Sequence, residues 1–184
     1  MNKKTLAIIL VVALSLIIVI LGNRSFAFED GKSNIWNVYI DNIKTSKVNG
    51  KAYVPNTPEI SGGSIKAFDV LVSKKGDYAT FTFDVINAGT IDAKLVTLAK
   101  LEPKCISLEI PGNTSDEELV CSNLEYKYYY TKNNKEVKLN DIVKANTKEN
   151  ITIKVGFNNN AIEEPNGDVQ IVLYDSSLVY NNSY

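Results

Sequence analysis

Few residues in this chain of 184 amino acids could support chemistry, and most familiar catalytic arrangements need a residue that it lacks. The sequence contains no histidine, the usual general base near neutral pH and the commonest zinc ligand. Ser-His-Asp and Cys-His nucleophilic systems are therefore excluded, and no Gly-x-x-x-x-Gly-Lys phosphate loop is present. We predict no catalytic residue, no cofactor and no metal site, and we expect that the protein is not an enzyme.

The two cysteines, Cys105 and Cys121, form the clearest chemical pair in the sequence. Their spacing fits neither a Cys-x-x-Cys redox motif nor a metal-binding knuckle. An even cysteine count in an exported chain favours a disulfide, with a pair of free buried thiols as the alternative. Closing a loop of this length stabilises a fold by roughly 3 kcal/mol in the chain-entropy model. We predict a Cys105–Cys121 disulfide that brackets one short acidic helix over about residues 116–123.

Two further groups of side chains suggest binding chemistry, each with a structural alternative. Tyr126, Tyr128 and Tyr130 share one face of a predicted strand and could stack on sugar rings, but β-propensity favours half-buried core tyrosines. The acidic segment 163–168 offers carboxylate and carbonyl oxygens to calcium. It lacks the alternation of an EF-hand loop, so a solvated acidic turn is the favoured interpretation.

The N-terminus has the layout of an export signal. Lys3 and Lys4 precede an uncharged run over residues 5–22, about 27 Å long as a helix. Small side chains at Ser25 and Ala27 suit a signal peptidase cut between Ala27 and Phe28. We therefore expect residues 1–27 to be a signal peptide and residues 28–184 a single extracellular domain. The alternative is an uncleaved segment that anchors the protein in the membrane.

Alternation of period two in the exported part predicts an all-β fold. The two clearest strands cover about 78–86 and 150–157, with Thr80, Thr82 and Asp84 facing outward on the first. A type I′ hairpin is predicted at residues 48–51, with a return strand at Tyr53-Val54. About eight short strands with one helix indicate a β-sandwich or jelly roll. The predicted core residues are Phe81, Phe83, Val85, Ile151, Ile153, Val155 and Phe157.

One stretch of the sequence carries a family resemblance. A Gly76-Asp77 turn precedes the strand Phe81–Ile86, which ends in Asn87-Ala88-Gly89 before a second strand begins with small residues. This arrangement resembles the camelysin/TasA family of secreted bacterial surface proteins, and residues 26–30 are similar to the family's start of the mature chain. The resemblance implies an exported jelly-roll domain at the cell surface or in the biofilm matrix that can assemble into fibres. The metalloprotease label of some members would lack a mechanism here, because there is no His-Glu-x-x-His helix.

Two functions fit these observations. The first is a structural protein of a bacterial envelope or extracellular matrix, and the alternative is a non-catalytic surface module that binds glycan or a host ligand. Trp36, Val38 and Ile40 alternate just after the predicted cut, and this assembly strand could pair with a neighbouring copy or simply complete its own sheet. The expected partners are copies of the chain or other surface proteins. Basic and acidic residues number 20 and 21, so we expect no nucleic-acid partner.

Overall fold

The alternating pattern of the sequence becomes three antiparallel sheets in the computed structural model, which describes residues 33–109 and 114–183. The predicted signal peptide, with its cut between Ala27 and Phe28, lies outside the described residues. In chain order the elements are β1 (Val38–Asn49), β2 (Ile60–Ser61), β3 (Ser64–Ile65), β4 (Phe68–Val72), β5 (Tyr78–Asn87), β6 (Ala93–Ala99), β7 (Lys104–Ser107), α1 (Thr114–Ser122), β8 (Leu124–Tyr130), β9 (Ile142–Val143), β10 (Thr147–Phe157), β11 (Val169–Leu173) and β12 (Ser176–Asn182).

The strands form a first sheet in the order β1-β5-β10-β8, a second in the order β4-β11-β7 and a third in the order β2-β3-β12-β6-β9. Every pairing of neighbouring strands is antiparallel. The predicted all-β sandwich is therefore confirmed. The strand count exceeds the predicted eight because β2, β7, β9 and β12 were not predicted, and because one strand predicted over about 65–72 is divided into β3 and β4.

The core is built from the inward faces of these sheets. Phe81, Phe83 and Val85 of β5 are fully buried. Register pairing places Ile151 of β10 opposite Phe83 and Ile153 opposite Phe81. Alternation along two neighbouring strands therefore fixes one shared apolar surface, as the sequence predicted.

The outward side of β5 is polar but covered. Thr80, Thr82 and Asp84 do face away from the core, but each is no more than 8% exposed. The predicted direction of these side chains is therefore correct, although little of their surface reaches solvent. Their burial follows from position, because β5 is an inner strand and side chains of β1 and β10 cover its short polar groups from both sides.

The hairpin predicted after β1 does not form. The chain turns at residues 49–52, where Ala52 N donates to Asn49 O at 3.3 Å, and only Gly50 has a positive φ. Tyr53 then bridges to Leu71 of β4, in the second sheet. The buried Asp77 carboxylate directs this path, since it accepts a hydrogen bond from Lys51 N at 2.9 Å. A side chain at Gly50 would collide with that carboxylate.

The predicted disulfide and helix are both present. Cys105 of β7 and Cys121 in the last turn of α1 are joined, with their Cα atoms 5.8 Å apart. The helix begins two residues before the predicted start and ends one residue before the predicted end. At its first turn, the buried Asp116 accepts hydrogen bonds from Asn166 N and Asn166 Nδ2. The helix is thus fixed to β7 at one end and to the 158–168 loop at the other.

Candidate functional site

The Asn-x-Gly segment after β5 is a rigid turn. Asn87 is almost fully buried, and its Nδ2 donates to the carbonyls of Ile91 and Val143 at 2.9 and 3.1 Å. Its Oδ1 accepts a hydrogen bond from Gly89 N at 3.1 Å. One side chain therefore joins the end of β5, the loop before β6 and the strand β9.

This turn holds the chain that leads into β1. Ala88 N donates to Asn37 O and Thr90 N donates to Ile35 O, each at 2.9 Å. Ile35 N in turn donates to Thr90 Oγ1 at 3.0 Å. A Cβ at Gly89 would collide with the carbonyl of Ile35, so only glycine permits this close approach. The turn thus sets the entry position of β1.

The outer edge of β1 has no strand beside it within the described residues, because β1 pairs only with β5. Hydrogen bonds alternate along an antiparallel ladder. Since Asn37 O bonds toward the β5 side, the main-chain groups of Trp36, Val38 and Ile40 point the other way. These are the three residues of the predicted assembly strand, and they present the free donors and acceptors of this edge.

A second free edge lies opposite. On one side β12 pairs with β6, and on the other it pairs with β3 only at Ser176 and Ser177. From Leu178 onward, no described strand lies on that second side. A groove of about 360 Å³ lies between β1 and β12, and the Gly62-Gly63 turn between β2 and β3 also lines it.

The groove is apolar at its rim. Trp36, Tyr39 and Val179 line it and are 43%, 44% and 45% exposed. Large apolar side chains grouped around an unpaired strand edge are typical of a surface that accepts another chain.

The rest of β1 lacks these features. Its register with β5 shifts between Asp41 and Lys44 and again between Thr45 and Lys47, and Asn42 has a φ of 59°. Bulges and exposed lysines are the usual protection of an edge strand against unwanted pairing. Only the N-terminal part of β1 is both regular and apolar.

The structure shows what the assembly strand does within one chain. Val38 and Ile40 pair with Asn87 and Val85 of β5, and Ile40 is buried. The strand therefore completes its own sheet, as one of the two sequence hypotheses expected. The opposite wall, β12, was missed by the sequence reasoning. The sequence pattern that could have predicted this strand is the alternation of Ser176, Leu178 and Tyr180, which point inward.

The tyrosine strand does not form a sugar-stacking platform. Tyr126, Tyr128 and Tyr130 share one face of β8, but that face points into the core, and Tyr128 and Tyr130 are buried. The Tyr128 hydroxyl lies 2.9 Å from that of Tyr126 and 2.8 Å from Ser176 Oγ. Burial, together with the neighbouring Tyr126, raises the pKa of Tyr128. The three tyrosines therefore belong to the core, as the structural alternative in the sequence analysis predicted.

The acidic segment 163–168 does not gather its carboxylates. Asp168 accepts a hydrogen bond from the Ser73 hydroxyl, while Glu163 and Glu164 are exposed. Among residues 33–109 and 114–183, no group of three or more acidic, cysteine or histidine side chains is placed to hold a metal ion.

Comparison with known proteins gives no relative: no family model, no curated protein and no solved structure matches this chain. Its class is defined by its own fold and site, as a disulfide-linked β-sandwich with an open groove between two unpaired strand edges. The disulfide indicates an oxidising setting such as the extracellular space. Within the described part of the chain, no helix is long and apolar enough to cross a membrane.

Proposed function

We propose that this protein is a secreted or cell-surface structural protein of a bacterial envelope or extracellular matrix, and that its copies assemble by strand exchange at the groove. The observation that carries the proposal is the pair of edges of β1 and β12, which have no neighbouring strand within the described residues and face each other across a groove with an apolar rim. The resemblance to the camelysin/TasA family agrees with this function.

The strand that enters the groove would come from the next copy. Residues 28–34 precede the tethered Ile35, and in this proposal Phe28 would be the apolar residue of the donated segment. Each copy has one such segment and one groove, so a head-to-tail contact is heterologous and extends into an open chain where its rotation does not close a ring. An added strand gains main-chain hydrogen bonds, each with a net value of about 1 kcal/mol. Cleavage after Ala27 would free the segment, which would couple assembly to export.

Substitution of Val38 by proline tests the acceptor edge. The Val38 N–H points into the groove, so proline removes a donor there and leaves the β5 ladder intact. We expect the 28–184 chain to form polymers, visible by electron microscopy, and V38P to remain monomeric with an unchanged far-UV CD spectrum. If V38P polymerises as readily as the unmodified chain, the β1 edge is not the acceptor.

Deletion of residues 28–34 tests whether this segment is the strand that enters the groove. The deletion variant can also be mixed with V38P, because each variant keeps the half of the contact that the other lacks. The deletion variant retains the groove but lacks the donor, whereas V38P retains the donor but lacks a working groove. Each should be monomeric alone, and their mixture should give a one-to-one complex without polymers, measured by sedimentation. Polymers from the deletion variant alone would contradict the proposal, as would an unmodified 28–184 chain that stays monomeric at every concentration.

A further inference from the structure

The outer face of the first sheet, on the side away from the core, forms a regular array of lysine and hydroxyl side chains. Strand register places Lys47, Thr80, Lys154 and Lys127 side by side across β1, β5, β10 and β8. Neighbouring strands are about 4.8 Å apart, so this row spans about 14 Å. The next row contains Lys44, Thr82, Thr152 and Tyr129.

The charge of this lysine face is opposite to that of the chain. The full sequence has one more acidic than basic residue. The lysine face has more lysines than carboxylates. The lysines are Lys44, Lys47, Lys127, Lys148 and Lys154, and the carboxylates are Asp41, Asp84, Glu125 and Glu136, whose residue bridges to Tyr129.

The lysine charges on this face are only partly neutralised. Lys154 Nζ lies 2.7 Å and Lys127 Nζ 3.6 Å from Glu125, so two ammonium groups share one carboxylate. Within the described ranges, no ion pair joins Lys44 or Lys47 to an acidic side chain. Unsatisfied positive charge is therefore concentrated on the β1 side of the face.

The floor beneath the lysines is flat and polar. The ring of Tyr78 lies beneath two ammonium groups, with Lys47 Nζ 5.3 Å and Lys154 Nζ 4.6 Å from its centroid. Thr80 Oγ1 lies 2.8 Å from Ser46 Oγ. Because these two small hydroxyl groups bond to each other, the ammonium groups above them are the groups that a ligand would meet first.

A shallow depression of about 420 Å³ adds an aromatic surface at the β8 side. Its lining contains Tyr129, the ammonium groups of Lys127 and Lys154, and the carboxylates of Glu125 and Glu136. A tyrosine ring beside ammonium groups suits a ligand that carries both a sugar ring and a negative charge. The described ranges contain no arginine, the residue that binds phosphate in two-pronged geometry.

We infer that this lysine face binds an anionic polysaccharide whose sugar rings carry carboxylates. Lysines in rows supply separate point charges for carboxylates on successive sugars, and Tyr129 offers a ring face to one of them. The inference does not depend on the assembly groove, because the lysines of the face lie outside the groove lining.

Polygalacturonate is the probe, with neutral dextran and duplex DNA as comparison polymers. The full 184-residue chain, purified in mild detergent, is immobilised and its affinity for each polymer is measured at several salt concentrations. We expect binding to polygalacturonate that weakens as salt rises, and no saturable binding to dextran. Tighter binding to DNA than to polygalacturonate would overturn the inference in favour of a nucleic acid, and absence of polygalacturonate binding at low salt would also overturn it.

Charge reversal locates the site. The variant K44E/K47E should bind polygalacturonate about tenfold more weakly, because it reverses the two unneutralised charges. The matched control K104E/K138E makes the same change in net charge at two exposed lysines outside the first sheet, and it should change the affinity by less than about twofold. Equal losses in both variants would overturn the inference. K44Q/K47Q, which removes the charges without reversing them, should give an intermediate loss, and CD spectra check that each variant is folded.

Discussion

At the scale of single residues, two buried tyrosine hydroxyls differ in their surroundings. The Tyr128 hydroxyl contacts those of Tyr126 and Ser176. The Tyr180 hydroxyl is buried and meets no hydrogen-bond partner in the part of the chain that the structure describes. Burial raises the pKa of both side chains, so both remain protonated at neutral pH. The same chemical group therefore stabilises the fold at one position and not at the other.

Removal of each hydroxyl should reveal this difference. We expect Tyr128→Phe to lower the free energy of unfolding by about 1 kcal/mol, because it leaves its partners unpaired. Tyr180→Phe should leave it unchanged or raise it by up to about 1 kcal/mol, because no hydrogen bond is lost. Urea denaturation measures both values. A Tyr180→Phe variant less stable than Tyr128→Phe would contradict this account.

The Asp84 carboxylate gives the fold a specific acid sensitivity. Burial alone would raise its pKa, but hydrogen bonds from Asn150, Asn42 and Lys148, together with the Lys148 charge, outweigh burial and lower it. The folded protein therefore holds this proton less tightly than the unfolded chain, whose carboxyl has a pKa near 3.9. The stabilisation is present above about pH 4 and is lost as the pH falls through the folded-state pKa.

Asp84→Asn tests this acid sensitivity. Asparagine cannot titrate, so we expect the variant to be less stable than the parent at pH 7 and to lose less stability between pH 5 and pH 2. Thermal unfolding followed by CD across that range provides the measurement. A D84N profile parallel to that of the parent would contradict the argument.

At the scale of secondary-structure elements, the sequence predicted the strands and the helix whose residue patterns lie within the element itself. The β5 and β10 strands were found because their apolar alternation is strict, and the helix was found because Ser115 and Glu118 have the spacing of a capping box. The prediction of a return strand at Tyr53 was wrong because the carboxylate of Asp77, which is distant in sequence, accepts a hydrogen bond from Lys51 N. This contact turns the chain toward the second sheet. The far wall of the groove was missed because the inward alternation of β12 has only two large residues, Leu178 and Tyr180, and the strand ends in two asparagines.

The contribution of the disulfide to stability can be measured directly. It joins β7, at the edge of the second sheet, to the last turn of α1. We expect the Cys105→Ser/Cys121→Ser variant to lose roughly 3 kcal/mol of unfolding free energy, because the unfolded chain regains the freedom of the open loop. Guanidinium denaturation measures the loss. A variant as stable as the parent would show that contacts of Asp116 and Glu117 with the 158–168 loop and β7 hold the helix without the bond.

At the scale of the whole molecule, β1 contributes to two surfaces with opposite character. Its N-terminal part, with Val38 and Ile40, forms a wall of the groove. Its irregular part carries Lys44 and Lys47 on the lysine face, where bulges discourage strand pairing. If both proposals hold, a fibre built through the groove would display one lysine face on every copy, so weak contacts to a polysaccharide would be multiplied along its length.

The two surfaces should therefore respond independently to substitution. We expect K44E/K47E to polymerise like the parent while losing polygalacturonate affinity, and V38P to bind polygalacturonate as a monomer while failing to polymerise. Polymerised parent should bind the immobilised polysaccharide more tightly than V38P does, because many faces engage at once. Electron microscopy and surface binding on the same samples provide both readouts. If K44E/K47E also abolishes polymers, the lysines belong to the assembly contact and the division of β1 into two functional parts is wrong.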